Sequence, residues 1–398
     1  MSDSRITSFL SHHYLRLTLP DSRTSLDWAL APLVPLSHLY GLGMSVRERL
    51  YALGILQQRA LAATVISIGN LTVGGTGKTP VVIALANALL QKGRRVGVAS
   101  RGYGRSTVSD VMEVSNGSLP STRPPWSLFD PLHVEGKGCP GQTPWPLGHS
   151  ADETGDEPLL IAERCPGAPV AVGADRHAAG RYLLDRYGVD TLILDDAFQH
   201  LGLKRDVDIL LLDATAPFGN GYVLPRGRLR ERLSALGRAS LIMVTRARQA
   251  VNLHDLLTRL ARLAPGTPIC VTDFTPSCLL KIGSVETQAP AELKGERILL
   301  LSAIGNPDSF RTLVERLGPV VVDHCIFPDH HFYSVQDVQE VAAAAAKLRA
   351  DRIVTTEKDA VKLRCMQQVT EHMPVWAVRV DVDWLEGEAK WARLVLQI

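Results

Sequence analysis

Short apolar runs along the chain alternate with segments whose apolar residues recur every three or four positions. The runs at 65–68, 95–100, 170–172, 191–194, 208–212 and 240–245 are rich in Val, Ile and Leu. Such runs are the mark of strands covered on both faces of a parallel sheet. Helical periods fall between them, as in Val81, Val82, Leu85 and Leu89, or the helix opened by Asp175, Arg176 and His177. The series resumes with strands at 297–302, 320–323 and 353–356, a helix opened by Gly305, Asn306 and Pro307, and a long alanine-rich helix. This alternation predicts an α/β protein with a mostly parallel sheet flanked by helices, and a second, smaller α/β domain. Residues 106–150 are rich in Pro, Gly and Ser and are expected to form a long loop or insertion. The alternating stretch near 269–284 is expected to bridge two units. The expected division is therefore a helical segment at 1–61, a main domain at 62–268, a linker at 269–290 and a smaller domain at 291–398.

The most specific signal lies at 65–90, VISIGNLTVGGTGKTPVVIALANALL. A strand is followed by Gly74, Gly75 and Gly77, then Lys78, Thr79 and Pro80 opening a helix. Strand, glycine loop, Lys-Thr and helix make a phosphate cradle. The loop from Thr72 and Val73 through Thr76 to Gly77 turns backbone N–H groups toward an anion, and the helix N-terminus adds partial positive charge. Lys78 reaches the β- and γ-phosphates, and the Thr79 hydroxyl is placed to ligate Mg²⁺. Pro80 is tolerated because a first helical turn needs no N–H from it. The usual pattern, G-x-x-x-x-G-K-S/T, has glycine where this chain has Thr72. The loop predicts a nucleoside triphosphate as ligand.

Downstream, the strand at 191–194 stops in Asp195 and Asp196, which fits the Mg²⁺ side of such a site. Two adjacent strand residues face opposite ways, so one carboxylate is free for metal and the other for a neighbouring group. Arg101 and Tyr103 stand in a glycine-rich loop at the end of the strand at 95–100, where open α/β sheets bind ligands. His330 and His331 follow Asp329, without the Asp-x-Asp or further histidines of a two-metal phosphoesterase.

Composition narrows the class. Of 398 residues, 45% are hydrophobic and 21% charged, with 43 basic against 41 acidic side chains. The near-neutral balance excludes neither nucleic acid nor membrane, and offers no broad basic field to argue from. The six cysteines form no C-x-x-C pair, so neither a zinc knuckle nor a disulfide framework is indicated, and a reducing cytosol fits best. The N-terminus lacks the layout of a signal peptide. Residues 26–44 are largely apolar but broken by Pro32, Pro35, Gly41 and Gly43, with Arg47, Arg49 and Arg59 following. The stretch is short for a spanning helix. It reads either as a helix packed on the core or as an interfacial segment, with Trp28 and Tyr40 at headgroup level and the arginines beside anionic lipid.

Seven motifs now occur in order: G-N-x-x-x-G-G-x-G-K-T-P at 69–80, S-R-G-Y-G-R at 100–105, G-D-E-P at 155–158, L-D-D-x-F-Q-H at 194–200, L-R-E at 229–231, F-x-D-H-H at 327–331 and T-x-K-D at 356–359. Together they closely resemble the tetraacyldisaccharide 4′-kinases. The departures are an expanded stretch between Arg105 and Gly155, and Ala197 where glycine is expected. The resemblance implies transfer of the ATP γ-phosphate to the 4′-hydroxyl of the lipid A disaccharide precursor. It implies work at the cytosolic face of the Gram-negative inner membrane, with the N-terminal segment membrane-associated. It implies ATP and Mg²⁺ as cofactors, no nucleic acid and no obligate protein partner. Carried over by position, Asp156 acts on the acceptor hydroxyl and His330 supports it. Asp195, Asp196 and Glu231 manage metal and phosphate together with Thr79. Tyr103, Arg176, Gln199, His200 and Arg230 lie near substrate. The rival class is a P-loop switch or metallochaperone that couples hydrolysis to a protein partner. Such a protein needs no acceptor base like Asp156, and the guanine signature Asn-Lys-x-Asp is absent.

Overall fold

The computed structural model describes residues 30–103, 110–118, 150–366 and 373–395. Trp28, Arg105 and most of the stretch at 106–150 lie outside the described residues. In chain order the strands are β1 (Thr64–Asn70), β2 (Val96–Ser100), β3 (Val111–Ser115), β4 (Val170–Gly173), β5 (Thr191–Asp195), β6 (Val207–Asp213), β7 (Leu241–Thr245), β8 (Ile269–Lys281), β9 (Thr287–Gln288), β10 (Arg297–Ser302), β11 (Val320–Ile326), β12 (Arg352–Thr356) and β13 (Val375–Glu386). The helices used below are α1 (Val34–Ala52), α2 (Lys78–Gln91), α3 (Asp156–Arg164), α4 (Arg176–Tyr187), α5 (Leu253–Leu263), α6 (Pro307–Glu315), α7 (Val335–Lys347), α8 (Glu357–Leu363) and α9 (Glu388–Val395).

Two compact units are drawn from separated stretches of chain rather than from sequential blocks. One comprises Met1–Lys78, Asp190–Asp273 and Asp383–Ile398, the other Thr79–Val189 and Phe274–Val382. In the first, β1 pairs in parallel with β5 on one side and β6 on the other, and β7 and the start of β8 follow β6. Every residue of β5, β6 and β7 is buried, as the unbroken apolar runs predict. The core of this unit gathers Leu71, Phe198, Leu210, Leu212, Ile242, Val244, Leu256 and Leu260. Only glycine fits at position 69, because a Cβ there would lie 2.6 Å from Cβ of Phe198. This close approach seats the turn after β5 against the end of β1.

In the second unit β4 lies between parallel β2 and antiparallel β3, and β11, β10, β12 and β13 run parallel in that order. The strand β3 occupies part of the stretch expected to be loop. The expected linker at 269–290 is instead the long strand β8 and its short antiparallel partner β9. Side-chain caps fix the helix starts: Asp175 accepts from the N–H groups of His177 and Ala178, and Thr356 from that of Asp359.

The helix α1 inverts the usual amphipathic arrangement. Its small and polar positions face the protein: Ser37 donates to the Val223 carbonyl and accepts from Arg226 N–H, and the Tyr40 hydroxyl donates to the Arg230 carbonyl. Arg47 donates to the Gln199 carbonyl, and Glu48 pairs with Arg238 at 2.9 Å. Leu36, Leu39, Leu42 and Val46, spaced three or four apart, point outward and are about half exposed or more. Tyr40 and Arg47, expected at a lipid interface, are thus turned inward. Among the described residues, no helix is long and apolar enough to cross a membrane.

Candidate active site

The phosphate loop leaves the carboxyl end of β1, between the ends of β5 and β6. Its carbonyls from Thr72 to Thr76 are held by side-chain donors. Asn70 Nδ2 donates to the oxygens of Thr72 (2.6 Å) and Gly74 (3.5 Å), and Arg228 to that of Val73 (2.9 Å). Arg246 donates to the Gly75 oxygen and the Thr245 hydroxyl to the Thr76 oxygen, both at 2.9 Å. In a planar trans peptide the C=O and the next N–H point opposite ways. The N–H groups of Gly74, Gly75, Thr76 and Gly77 are thereby aimed away from these donors, into the concavity of the loop. Gly74 and Gly77 take positive φ values, 110° and 83°. Lys78 heads α2, followed by Thr79, and its ammonium lies 3.3 Å from Asn70 Oδ1 and 3.5 Å from Asp196 Oδ1.

The register Ile68↔Asp195 places the end of β5 beside the end of β1. Asp195 is the last strand residue and is buried. Asp196 leaves the strand in the left-handed region (φ 50°), so turn geometry rather than strand alternation sets its direction. Its carboxylate accepts from Arg230 at 2.8 and 3.0 Å. Gln199 joins the same shell, with Nε2 on the Asn70 carbonyl at 3.1 Å and Oε1 3.3 Å from Arg230. The His200 carbonyl accepts from Arg205.

Glu231, expected among the metal ligands, is occupied otherwise. Both of its buried oxygens accept from the Arg238 guanidinium, at 2.7 and 3.0 Å. Among the described residues, no three His, Cys, Asp or Glu side chains form a group that could hold a metal ion. Mg²⁺ binds through one or two carboxylates plus phosphate oxygens and water, and Asp195 and Asp196 at the mouth of the loop suit that demand without a preformed cage.

The second unit holds the other candidate. Gly155, at φ 95° and with the Tyr103 carbonyl 3.2 Å from where a Cβ would sit, admits no other residue without strain. It delivers Asp156 to the first turn of α3, buried to 3% exposure. His330 comes from the loop after β11 and is itself left-handed (φ 61°), a conformation that costs a non-glycine residue about 1–2 kcal/mol and persists only where the surrounding structure holds it. Its Nδ1 lies 3.0 and 3.2 Å from the two Asp156 oxygens. These residues were expected on different domains, but they belong to one compact unit. Asp156 Oδ1 also accepts from Glu157 N–H at 2.8 Å. The ring of Tyr103, an exposed residue, is 5.1 Å from that of His330. Arg176 is tied to its own turn, donating to the carbonyls of Gly173 and Ala174. His331 is taken up by Asp337 at 3.0 Å and by stacking on Phe327.

Two lysines that sequence reasoning gave no role complete the cluster. Lys358 and Lys362, one turn apart on α8, lie 3.9 and 3.6 Å from Asp156 Oδ2. Their i, i+4 spacing beside the T-x-K-D motif was the available signal. Burial pushes the Asp156 carboxyl up, but Lys358, the His330 hydrogen bond and Lys362 outweigh it and hold the group well below the usual carboxylate range. Burial pulls His330 down, as does Lys358, while Asp156 and Asp329 reverse the balance and leave it above its ordinary value.

A glycine loop with outward-held carbonyls at the carboxyl ends of parallel strands, and a lysine and two aspartates at its mouth, defines a P-loop protein, and the second unit adds a buried carboxylate–imidazole pair. Comparisons give the family. A model described as tetraacyldisaccharide-1-P 4′-kinase matches residues 29–123 and 140–398. The chain belongs to the tetraacyldisaccharide 4′-kinase family. It is 39% identical over 360 residues to the tetraacyldisaccharide 4′-kinase of an Anaeromyxobacter species, covering 90% of this chain and 89% of that one. The Syntrophus aciditrophicus tetraacyldisaccharide 4′-kinase is 38% identical over 373 residues, with 91% of each chain covered. The crystal structure of LpxK from Aquifex aeolicus in complex with ATP superposes with a TM-score of 0.69 at 30% identity, covering 93% of this chain and 99% of that one.

Proposed function

We propose that the protein transfers the γ-phosphate of ATP to the 4′-hydroxyl of the tetraacyl disaccharide 1-phosphate precursor of lipid A. The observation that carries this is the Asp156–His330 pair, an acceptor base for which a nucleotide-driven switch or metallochaperone has no use. The hydroxyl oxygen bonds to the γ-phosphorus while the bond from phosphorus to the bridging oxygen breaks, and ADP leaves with that electron pair. The hydroxyl proton passes to the Asp156–His330 pair. Phosphoryl transfer rests on positioning and charge stabilisation. In that scheme the loop N–H groups and Lys78 hold the β- and γ-phosphates, and Arg230 and Gln199 keep Asp196 in place beside them. Mg²⁺, when bound, neutralises charge on the phosphate oxygens, with Asp195 and Asp196 the residues to hold it. Tyr103, exposed beside His330, is placed to meet the acceptor sugar.

The protein works as a peripheral enzyme at the cytosolic face of the inner membrane in this proposal, with the leucine stripe of α1 lying in the interface. An apolar row turned to solvent, on a helix whose polar row is hydrogen-bonded to the protein, supports that placement. The test supplies labelled ATP, Mg²⁺ and the lipid A disaccharide precursor to the purified protein. Label is expected on the lipid; label released only as inorganic phosphate would favour the switch.

A further inference from the structure

The acceptor pair is enclosed by charges for which the proposed chemistry has so far no task. From α3 come Asp156 and Glu157, from the loop after β11 Asp329, His330 and Tyr333, and from α8 Lys358, Asp359 and Lys362, with Tyr103 on the outer side. Lys362 is spoken for, 2.9 Å from Asp359 Oδ1 and buried. Asp359 in turn accepts from the Ala303 N–H and the Thr356 hydroxyl, which pins α8 to the end of β10. Lys358 is different. Its ammonium is 3.1 Å from Glu157 Oε1 and 3.2 Å from Asp329 Oδ1, and it also lies 3.5 Å from Nε2 of His330. Two carboxylates would suffice to neutralise it, yet it is aimed at the one imidazole nitrogen that Asp156 does not use.

An ammonium has three protons and no lone pair, so a ring nitrogen facing it is an acceptor. The partner of one nitrogen decides where the proton of a neutral imidazole sits. With Nε2 against Lys358, the proton lies on Nδ1 and is donated to Asp156. We propose that Lys358 is a positioning residue for the acceptor pair: it holds His330 in the Nδ1–H form with Nε2 unprotonated, so that the pair enters the reaction able to take a proton. Two ion pairs, Arg164 with Glu357 on α8 and Glu163 with Arg364 just after it, tie α3 to α8 and so hold Lys358 at this distance.

This inference rests on the kinase proposal, and the experiment separates the two. Imidazole nitrogen shifts of ¹⁵N-histidine protein are followed against pH in the wild type, K358M and K358R, with H330Q identifying the His330 signals, and kcat is measured over the same range. The wild type is expected to show the Nδ1–H form. In K358M the His330 titration and the acid limb of kcat should both move up by about one pH unit or more, the effect of removing a close like charge, and K358R should restore both. A wild-type His330 protonated on Nε2 when neutral would overturn the proposal, even if K358M failed to fold. A K358M rate lowered equally at every pH, with His330 titrating as before, would also overturn it and leave Lys358 a purely structural cation. Absence of transfer by the wild type would sink the kinase proposal alone, since the nitrogen shifts need no turnover.

Discussion

Replacing Asp156 by Asn and His330 by Ala, singly and together, probes the acceptor pair most directly. Asp156→Asn keeps the shape of the side chain but removes the charge that faces Lys358, Lys362 and His330 at 3.9, 3.6 and 3.0 Å. A general base supplies about 10²–10⁴ in rate, so each single variant should lose that much in kcat, about 3–5 kcal/mol at 1.36 kcal/mol per decade. Both substitutions leave the phosphate loop and Lys78 intact, and ATP affinity should therefore stay nearly unchanged. Because one proton is shared by both side chains, the double variant should be little worse than the worse single one. Stability responds separately. Breaking a buried ion pair costs about 3–5 kcal/mol, with the lower end expected here because both lysines keep other carboxylate partners. The pH dependence has a definite sign. Asp156 is lowered from 3.8, so its contribution is complete above that value and is lost as pH falls through the lower folded one. His330 is raised from 6.5, so its contribution is complete below that value and is lost as pH rises through the higher folded one. Asp156→Asn should thus destabilise most between the two. Losses that multiply in the double variant, measured with labelled ATP at saturating acceptor, would refute the shared-proton account.

Lys78→Ala should lower turnover by about 10²–10³, the usual cost of one preorganised electrostatic contact, and near-normal transfer by the folded variant would remove the loop from the reaction. Leu39→Asp with Leu42→Asp should abolish sedimentation with anionic vesicles while leaving the melting temperature unchanged, and full sedimentation would move the docking surface elsewhere. Glu231→Gln should destabilise by about 3 kcal/mol through the loss of Arg238's buried partner, with the Mg²⁺ concentration for half-maximal activity unaltered. A shifted Mg²⁺ dependence at an intact melting temperature would return Glu231 to the metal.

The nucleotide half of the site was legible because its parts are local. Strand β1, the glycines, Lys78 and Thr79 are contiguous, and Asp195 and Asp196 announce themselves as carboxylates ending an apolar run. Glu231 carries a second partner that the motif could not announce, since Arg238 lies beyond a motif that ends at position 231. The acceptor half depends on approach over distance: His330 meets Asp156 across 174 positions, and Lys358 meets Glu157 across 201. No periodicity encodes such pairs; the resemblance supplied the first, and for the second the sequence offered only a lysine inside the T-x-K-D motif, with no sign of its partner. The interleaved units were hidden for the same reason, since composition shifts mark boundaries only where a domain is continuous in the chain. In α1 the sequence left packing on the core and lying at an interface both open, and only the partners of Ser37, Tyr40 and Arg47 decide which face is inside.

Those three contacts have a practical corollary. Tyr40 and Arg47 hold the backbone of Arg230 and Gln199, whose side chains hold Asp196 and Asn70, and Asn70 holds the loop itself. The helix is therefore a wall of the nucleotide chamber as well as whatever it is on its outer side. Cutting the chain ahead of β1 to obtain a better-behaved protein would take that wall away and loosen the grip on triphosphate. Repainting the outer leucines with polar residues would keep the chamber whole, so solubility and nucleotide binding can be separated by choice of side chain but not by choice of where the chain begins.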